Sequence, residues 1–321
     1  MSGPPTTGRF APTPSGDLHL GNLRTALVAW LSARANPGGR FVVRVEDLDP
    51  ATRQPDVARR QLDDLERLGL DWDGEPQWQS ERLDAHNAAI EQLTDQDRTY
   101  PCWCSRAEIR AATLAPHGLQ PSDGATLPNG AYPGTCADLD TVGRARRAEQ
   151  TGRPPALRLR AEAVRVTVID KAAGEFTGIV DDLVLRRADG VPAYNLAVVV
   201  DDAAAGVTEV VRGSDLLSST PRQAHLADLL GLTRPSWLHV PLVVGPDGIR
   251  LAKRHGAVTL AELVDAGWTP ERVCGLLASS LGLAASAEPV RPATLVEHLN
   301  PETLIASLPT TEWVLDPAAF S

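Results

Sequence analysis

Apolar positions along the N-terminal part of the chain switch between two periods. Gly8-Arg9-Phe10-Ala11 reads as a short strand, and Pro12-Thr13-Pro14-Ser15-Gly16 cannot extend it, so a loop follows. From Leu18 to Arg34 the residues Leu20, Leu23, Leu27, Trp30 and Leu31 recur at helical spacing, and Asn36-Pro37-Gly38-Gly39 ends that helix. Phe41-Val42-Val43-Arg44-Val45 is a β-branched run that reads as a strand closing in Glu46-Asp47. Pro55 suits the first turn of a helix reaching Leu68. Strand, loop, helix, strand, helix predicts an α/β fold with a parallel sheet.

The rest of the chain alternates in the same way. A helix is expected over 80–97, then an irregular insertion rich in Pro, Gly and Cys over 100–136. Ala156–Arg160, Val164–Ile169, Ile179–Arg187 and Leu196–Val200 read as β-rich runs. A helix over 214–230 precedes a strand over Leu238–Val244 and a turn at Gly245-Pro246-Asp247-Gly248. Beyond residue 258 the pattern is short helices separated by Pro and Gly. No internal repeat interrupts this order.

Composition narrows the class. The 321 residues are 43% hydrophobic and 22% charged, enough apolar material for a sizeable core and too much for intrinsic disorder. No run approaches the ~18 apolar residues of a membrane helix, and Met1–Thr7 has neither a basic start nor an apolar stretch, so the expectation is a cytoplasmic, soluble protein without a signal peptide. The net charge of −10 argues against a surface generally coated by nucleic acid. Residues 257–321 carry two arginines against eight acidic residues, a net of −6, so any RNA should meet a local patch on the preceding part. Only Lys171 and Lys253 break an otherwise all-arginine choice of cation, either for the compact ammonium they provide or by chance.

Candidate chemistry sits in three places. His19-Leu20-Gly21-Asn22 opens the first helix, where unpaired N–H groups and the positive dipole end suit phosphate and Gly21 leaves room for a flat ring. Taken alone, His19 reads as a helix cap or a surface histidine. Arg250-Leu251-Ala252-Lys253-Arg254-His255-Gly256 is a basic, Gly-flanked loop that could clamp phosphate and alone reads as a solvated loop. Cys102, Cys104 and Cys136 fall within 35 residues, which favours a metal over disulfides in a chain with no export signal. Three thiolates suit tetrahedral zinc, with His117, Asp138 or water as the fourth ligand. Cys274 lies on a helical apolar pattern and reads as core.

Together the first two segments resemble the paired nucleotide-binding signatures of class I aminoacyl-tRNA synthetases. Gly8-Arg9-Phe10-Ala11-Pro12, Arg44-Val45-Glu46-Asp47-Leu48-Asp49, Tyr194–Asp202 and Val211-Arg212-Gly213-Ser214-Asp215 are similar to the glutamate-specific branch. Only 65 residues follow Gly256, where an ordinary glutamyl-tRNA synthetase continues into a long anticodon-reading part. The chain therefore resembles the truncated glutamyl-queuosine tRNA(Asp) synthetase family, which ligates glutamate to the queuosine base of tRNA(Asp).

That resemblance implies a Rossmann-like catalytic domain split over 1–99 and 193–256, a zinc-bearing insertion over 100–192, and a short helical part over 257–321. It implies a monomer with no membrane partner, taking L-glutamate, ATP with Mg²⁺ and queuosine-bearing tRNA(Asp). It assigns His19, Gly21, Asn22 and Lys253 to ATP, with His19 and Lys253 catalytic and Lys253 stabilising the departing pyrophosphate. It assigns Arg9, Glu46 and Arg212 to the charges of glutamate, with Ser15 and Tyr194 adding hydrogen bonds and Phe10, Ala11, Pro12 and Thr13 lining the pocket. It assigns Cys102, Cys104, Tyr132 and Cys136 to one structural Zn²⁺. Tyr194 by itself would read as core, Glu46 by itself as a strand-end surface acid, and Asp201 and Asp202 as turn residues without a role. Arg250 and Ala252 stand where the family uses Lys and Ser, and Pro116–Asn129 looks inserted. The competing functions are charging of a tRNA 3′ end and an inactive RNA-binding relative.

Overall fold

Side-chain alternation along the central strands explains the architecture. The computed structural model describes residues 5–113, 125–128, 130–251, 258–316 and 320. Strands β1 (Thr7–Phe10), β2 (Arg40–Val45) and β3 (Gln77–Trp78) pair in parallel in the order β1-β2-β3. A second sheet has the order β7-β6-β10-β9, from β6 (Arg165–Asp170), β7 (Gly174–Ile179), β9 (Glu209–Gly213) and β10 (Ser236–Val240). Its β6, β10 and β9 are parallel, and β7 runs against β6. The two sheets meet where Thr208 N donates to Thr7 O (2.9 Å) and Thr7 N donates to the Thr208 hydroxyl (2.9 Å).

Alternate residues then feed two cores. Phe41, Val43, Val211, Leu238 and Val240 face one cluster, while Val42, Val210 and Trp237 face the other. The first cluster is built on helix α1 (Leu20–Arg34). Every α1 residue from Ala26 to Ala33 is buried, more than a single apolar stripe requires. The reason is tertiary: α1 lies against β1, β2 and β9 and is also packed by α9 (Pro270–Ser280), α10 (Pro292–Val296) and α11 (Pro301–Ser307). Helix α2 (Pro55–Leu68) joins the same side. The second cluster is covered by α3 (Leu83–Asp95), α6 (Tyr194–Ala204) and α7 (Thr220–Leu230). Sheet faces covered on both sides are the normal condition of parallel strands.

The insertion carries its own antiparallel sheet, β4-β5-β8, from β4 (Thr99–Cys102), β5 (Ala156–Leu159) and β8 (Val184–Arg186). Helices α4 (Arg106–Thr113) and α5 (Thr141–Thr151) accompany it. Near the C-terminus, α8 (Leu260–Asp265) leads into α9, and β12 (Trp313–Val314) pairs in parallel with β11 (Val243–Val244). No helix is long and apolar enough to cross a membrane among the described residues.

Several sequence expectations are corrected. Leu196–Val200 is not a strand but the middle of α6, because Leu196, Val199 and Val200 pack on the second core at helical spacing and packing outweighs β-branched preference. The Ile179–Arg187 run is broken between β7 and β8. There Asp181 turns inward to Arg222 and to Tyr132 N (2.7 Å). The segment 100–136 is not wholly irregular, since it holds the end of β4 and α4. Residues 214–219 form a 3₁₀ turn before α7, whose second residue is Pro221.

Arg24 of α1 ties α9 to the end of β10. Its guanidinium donates to Pro241 O (2.7 Å), Ser280 Oγ (3.0 Å) and Ser280 O (3.2 Å), and burial pushes it down to about 10. Arg24→Ala leaves those carbonyls unpaired and lowers stability by about 2–4 kcal/mol, measured as a lower urea midpoint.

Candidate active site and thiolate cluster

The carboxyl ends of β1, β2, β9 and β10 open into a cleft of about 910 Å³ on the seam between the sheets, where ligands bind in open α/β folds. Arg9, Phe10, Ala11, Pro12, Thr13, Ser15, His19, Gly21, Asn22, Glu46, Tyr194 and Arg212 all line it. Predicted positions up to 203 residues apart are thus brought together. Lys253, with Ala252 and Arg254–Gly256, lies outside the described residues, as does His117. Arg250 lines the cleft and pairs with Asp215.

His19 is indeed the cap of α1. Its Nδ1 accepts from Asn22 N (3.2 Å), and Asn22 Oδ1 accepts from His19 N (3.2 Å), a reciprocal capping box. Gly21 is required by that ring: a Cβ there would stand 2.9 Å from His19 Cε1. The loop before it is held by Gln61 of α2, whose amide donates to Thr13 O (3.0 Å) and Gly16 O (2.6 Å). The helix therefore presents its N-terminal end and a fixed imidazole to the cleft.

The strand alternation puts Arg9, Arg44, Arg212 and His239 on the side of α6 and α7. Asp202 of α6 receives Arg44 Nη1 at 2.5 Å and Arg9 Nε at 3.5 Å. Arg44 Nη2 reaches Glu46 at 3.3 Å, and Arg9 Nη1 donates to Val211 O (2.9 Å). Two cations and two carboxylates thus share one nearly dry site, with Arg44 only 1% and Glu46 10% exposed in their side chains. Burial pushes the Glu46 carboxyl above its usual range, opposed by Arg44 and then Arg9. Burial also lowers Arg44, but Asp202 and Glu46 outweigh it and the net shift is upward. Arg212 donates to Gln223 Oε1 (2.7 Å), the Thr220 hydroxyl (2.9 Å) and His239 Nε2 (3.0 Å).

Three readings of single residues change here. Tyr194 is not core: it is 42% exposed and borders the cleft. Glu46 is not a surface acid. Asp201 and Asp202 are helical and buried, and Asp201 accepts from Gln79 (2.8 Å) and Arg82 (2.6 Å) and bonds His86 (2.9 Å). Sequence reasoning missed Arg44, Asp202, Gln61 and His239. Arg44 had a signal, a cation inside the apolar run Phe41–Val45; so had His239 within Trp237-Leu238-His239-Val240.

The cysteines form a second constellation. The Sγ atoms of Cys102, Cys104 and Cys136 all lie within 4.8 Å of one another, a spacing that could hold a metal ion. The Tyr132 phenol oxygen is 3.3 Å from Cys102 Sγ and 3.7 Å from Cys104 Sγ, and it accepts from Cys136 N (2.8 Å). Arg158 stacks 3.6 Å above its ring and fixes it. Asp138 is turned away, with a 99% exposed side chain near Arg160. Burial pushes the Cys104 thiol up to about 11, a cost that a bound cation would reverse. Cys274 is buried core, as expected.

The model of the class I tRNA synthetase catalytic domain for glutamate and glutamine matches residues 6–287. The chain belongs to that family. A glutamyl-Q tRNA(Asp) synthetase of Nocardia farcinica is 56% identical over 96% of this chain and 92% of its own length. One from Symbiobacterium thermophilum is 50% identical over 90% of each. Among solved structures, a glutamate tRNA ligase from Elizabethkingia meningosepticum, crystallised with its amino acid, superposes with a TM-score of 0.77 at 24% identity. It covers 99% of this chain and 67% of that one, and shows the shared class I synthetase fold.

Within this synthetase site Arg44 is the hub between Glu46 and Asp202. Arg44→Met strands two buried carboxylates and costs about 3–5 kcal/mol, seen in chemical denaturation, and Arg44→Lys fails to restore it because one ammonium cannot fork between both.

Proposed function

We propose that the chain activates L-glutamate with ATP and transfers it to queuosine in the anticodon of tRNA(Asp). The observation that carries the reading is the convergence of Arg9, Arg212 and Glu46 in the same cleft as the His19–Gly21 helix end. Free glutamate has two carboxylates and one ammonium, so a selective pocket wants two guanidiniums and one acid. The identity of the RNA acceptor rests on the relatives at 56% and 50% identity, whose names specify it.

In the first step a glutamate carboxylate oxygen attacks the α-phosphorus of ATP, forming glutamyl-adenylate as pyrophosphate leaves. Such a displacement needs alignment and positive charge rather than a protein nucleophile. His19, Gly21 and Asn22 seat the nucleotide at the α1 N-terminus, Mg²⁺ accompanies its phosphates, and Lys253 meets the departing pyrophosphate. In the second step a queuosine hydroxyl attacks the activated carbonyl, its proton is lost, and AMP leaves. Ser15 and Tyr194 contribute hydrogen bonds to the bound amino acid.

Cys102, Cys104, Cys136 and the Tyr132 phenol oxygen form the donor set for one structural zinc. When bound, it would tie β4 to the segment before α5 and so brace the insertion. This set suits zinc because thiolates are the soft ligands it prefers and the phenol is already drawn to the same point.

Labelled glutamate and ATP, offered to tRNA(Asp) with and without queuosine, test the function. Label enters only the queuosine-containing pool, and Lys253→Ala, still folded, loses adenylate formation. Equal label on both pools overturns the acceptor assignment; no label with no glutamate-dependent pyrophosphate exchange overturns activation itself. For the metal, the purified chain carries one zinc by mass spectrometry and the Cys102→Ala, Cys104→Ala double variant carries none; zinc retained in that variant refutes the ligand set.

A further inference from the structure

Arg212 is held in an unusual way for a buried cation. Among the described residues none of its hydrogen bonds goes to a carboxylate: its partners are Gln223 Oε1, the Thr220 hydroxyl, Leu216 O, the imidazole of His239 and the Tyr194 phenol. The register of β9 against β10 sets Arg212 directly beside His239, and both are nearly buried. Arginine Nε can only donate, so His239 Nε2, 3.0 Å away, must be the acceptor. The ring proton is then on Nδ1, and Nδ1 lies 2.6 Å from the Asp170 carboxylate. Asp170 is in turn fixed by His239 N (3.1 Å), Ala172 N (3.0 Å) and Ala173 N (2.8 Å). Burial keeps His239 below its ordinary range, so the ring is neutral at neutral pH.

We propose that His239, locked by Asp170, is a positioning residue that aims Arg212 at the amino-acid substrate without neutralising it. The assignment rests on the reading of the cleft as a glutamate site. A carboxylate in direct contact with Arg212 would orient it equally well, but it would cancel the charge that an incoming carboxylate needs. A neutral imidazole supplies the acceptor, and Asp170 supplies the tautomer from one ring further away. The Asp–His–Arg chain spans β6, β10 and β9, three adjacent parallel strands, so the geometry is set by the sheet.

Two substitutions separate the two ends of the ring. His239→Asn keeps a donor for Asp170 but cannot reach Arg212, whereas His239→Gln extends an acceptor to Arg212. In pyrophosphate exchange with tRNA supplied, the Asn variant raises KM for glutamate by about tenfold, with kcat and KM for ATP within about twofold, and the Gln variant recovers most of the loss. In the wild-type chain, ¹⁵N spectra of the imidazole show a protonated Nδ1 and a bare Nε2. Unchanged KM for glutamate in the Asn variant, an equal rise in both KM values, or a protonated Nε2 overturns the assignment while leaving the glutamate site standing. A wild-type chain with no glutamate-dependent exchange overturns both together.

Discussion

Everything at the floor of the cleft depends on keeping buried guanidinium groups charged. Asp202 solves half of that problem by accepting Arg44 at 2.5 Å and Arg9 at 3.5 Å, with Arg44 bridging on to Glu46. Removing water from four charges is costly unless each has a partner. Arg44 is shared between Asp202 and Glu46, Arg9 lies near Asp202 alone, and among the described residues no hydrogen bond of Arg212 goes to a carboxylate. The pairing is graded, from Arg44 with two carboxylates to Arg212 with no carboxylate among its hydrogen bonds. An amino acid with two carboxylates suits such a gradient.

The second constraint is rigidity at the start of α1. His19 and Asn22 close the capping box, Gly21 clears the ring, and Gln61 clamps the preceding loop from α2. The helix behind them is buried on all sides, so its N-terminus cannot drift. Arg24 links it to Pro241 at the end of β10 and to Ser280 of α9, which makes the C-terminal helices part of the support for the cleft. The pairing of β12 with β11 extends that support to the strand that leads toward the basic loop.

The candidate site was legible wherever chemistry and chain order coincide. His19 and Gly21 stand at a strand-to-helix junction, where phosphate chemistry is expected, and Cys102, Cys104 and Cys136 lie close in sequence. Tyr132 was named as a fourth donor by the resemblance alone; its oxygen stands against two sulfurs while Asp138 faces solvent, and no local pattern in the chain shows that. Leu196–Val200 misled because three consecutive valines favour a strand locally, whereas the helix is decided by the core that Leu196, Val199 and Val200 pack against. Arg44 and His239 were visible as polar residues in apolar strands, but nothing local says whether such a residue is buried or paired.

The sequence by itself determined the α/β order of the N-terminal elements and the residue types that suit phosphate, glutamate and a soft metal. These are properties of spacing and side-chain chemistry, which act over a few residues. Only the tertiary structure decided which charges cancel. Arg44 meets Asp202 across 158 positions of chain, and Arg9 meets Val211 across 202. A charge in water is nearly indifferent to its neighbours, whereas in a dry cleft its worth is set by partners that folding alone brings within reach.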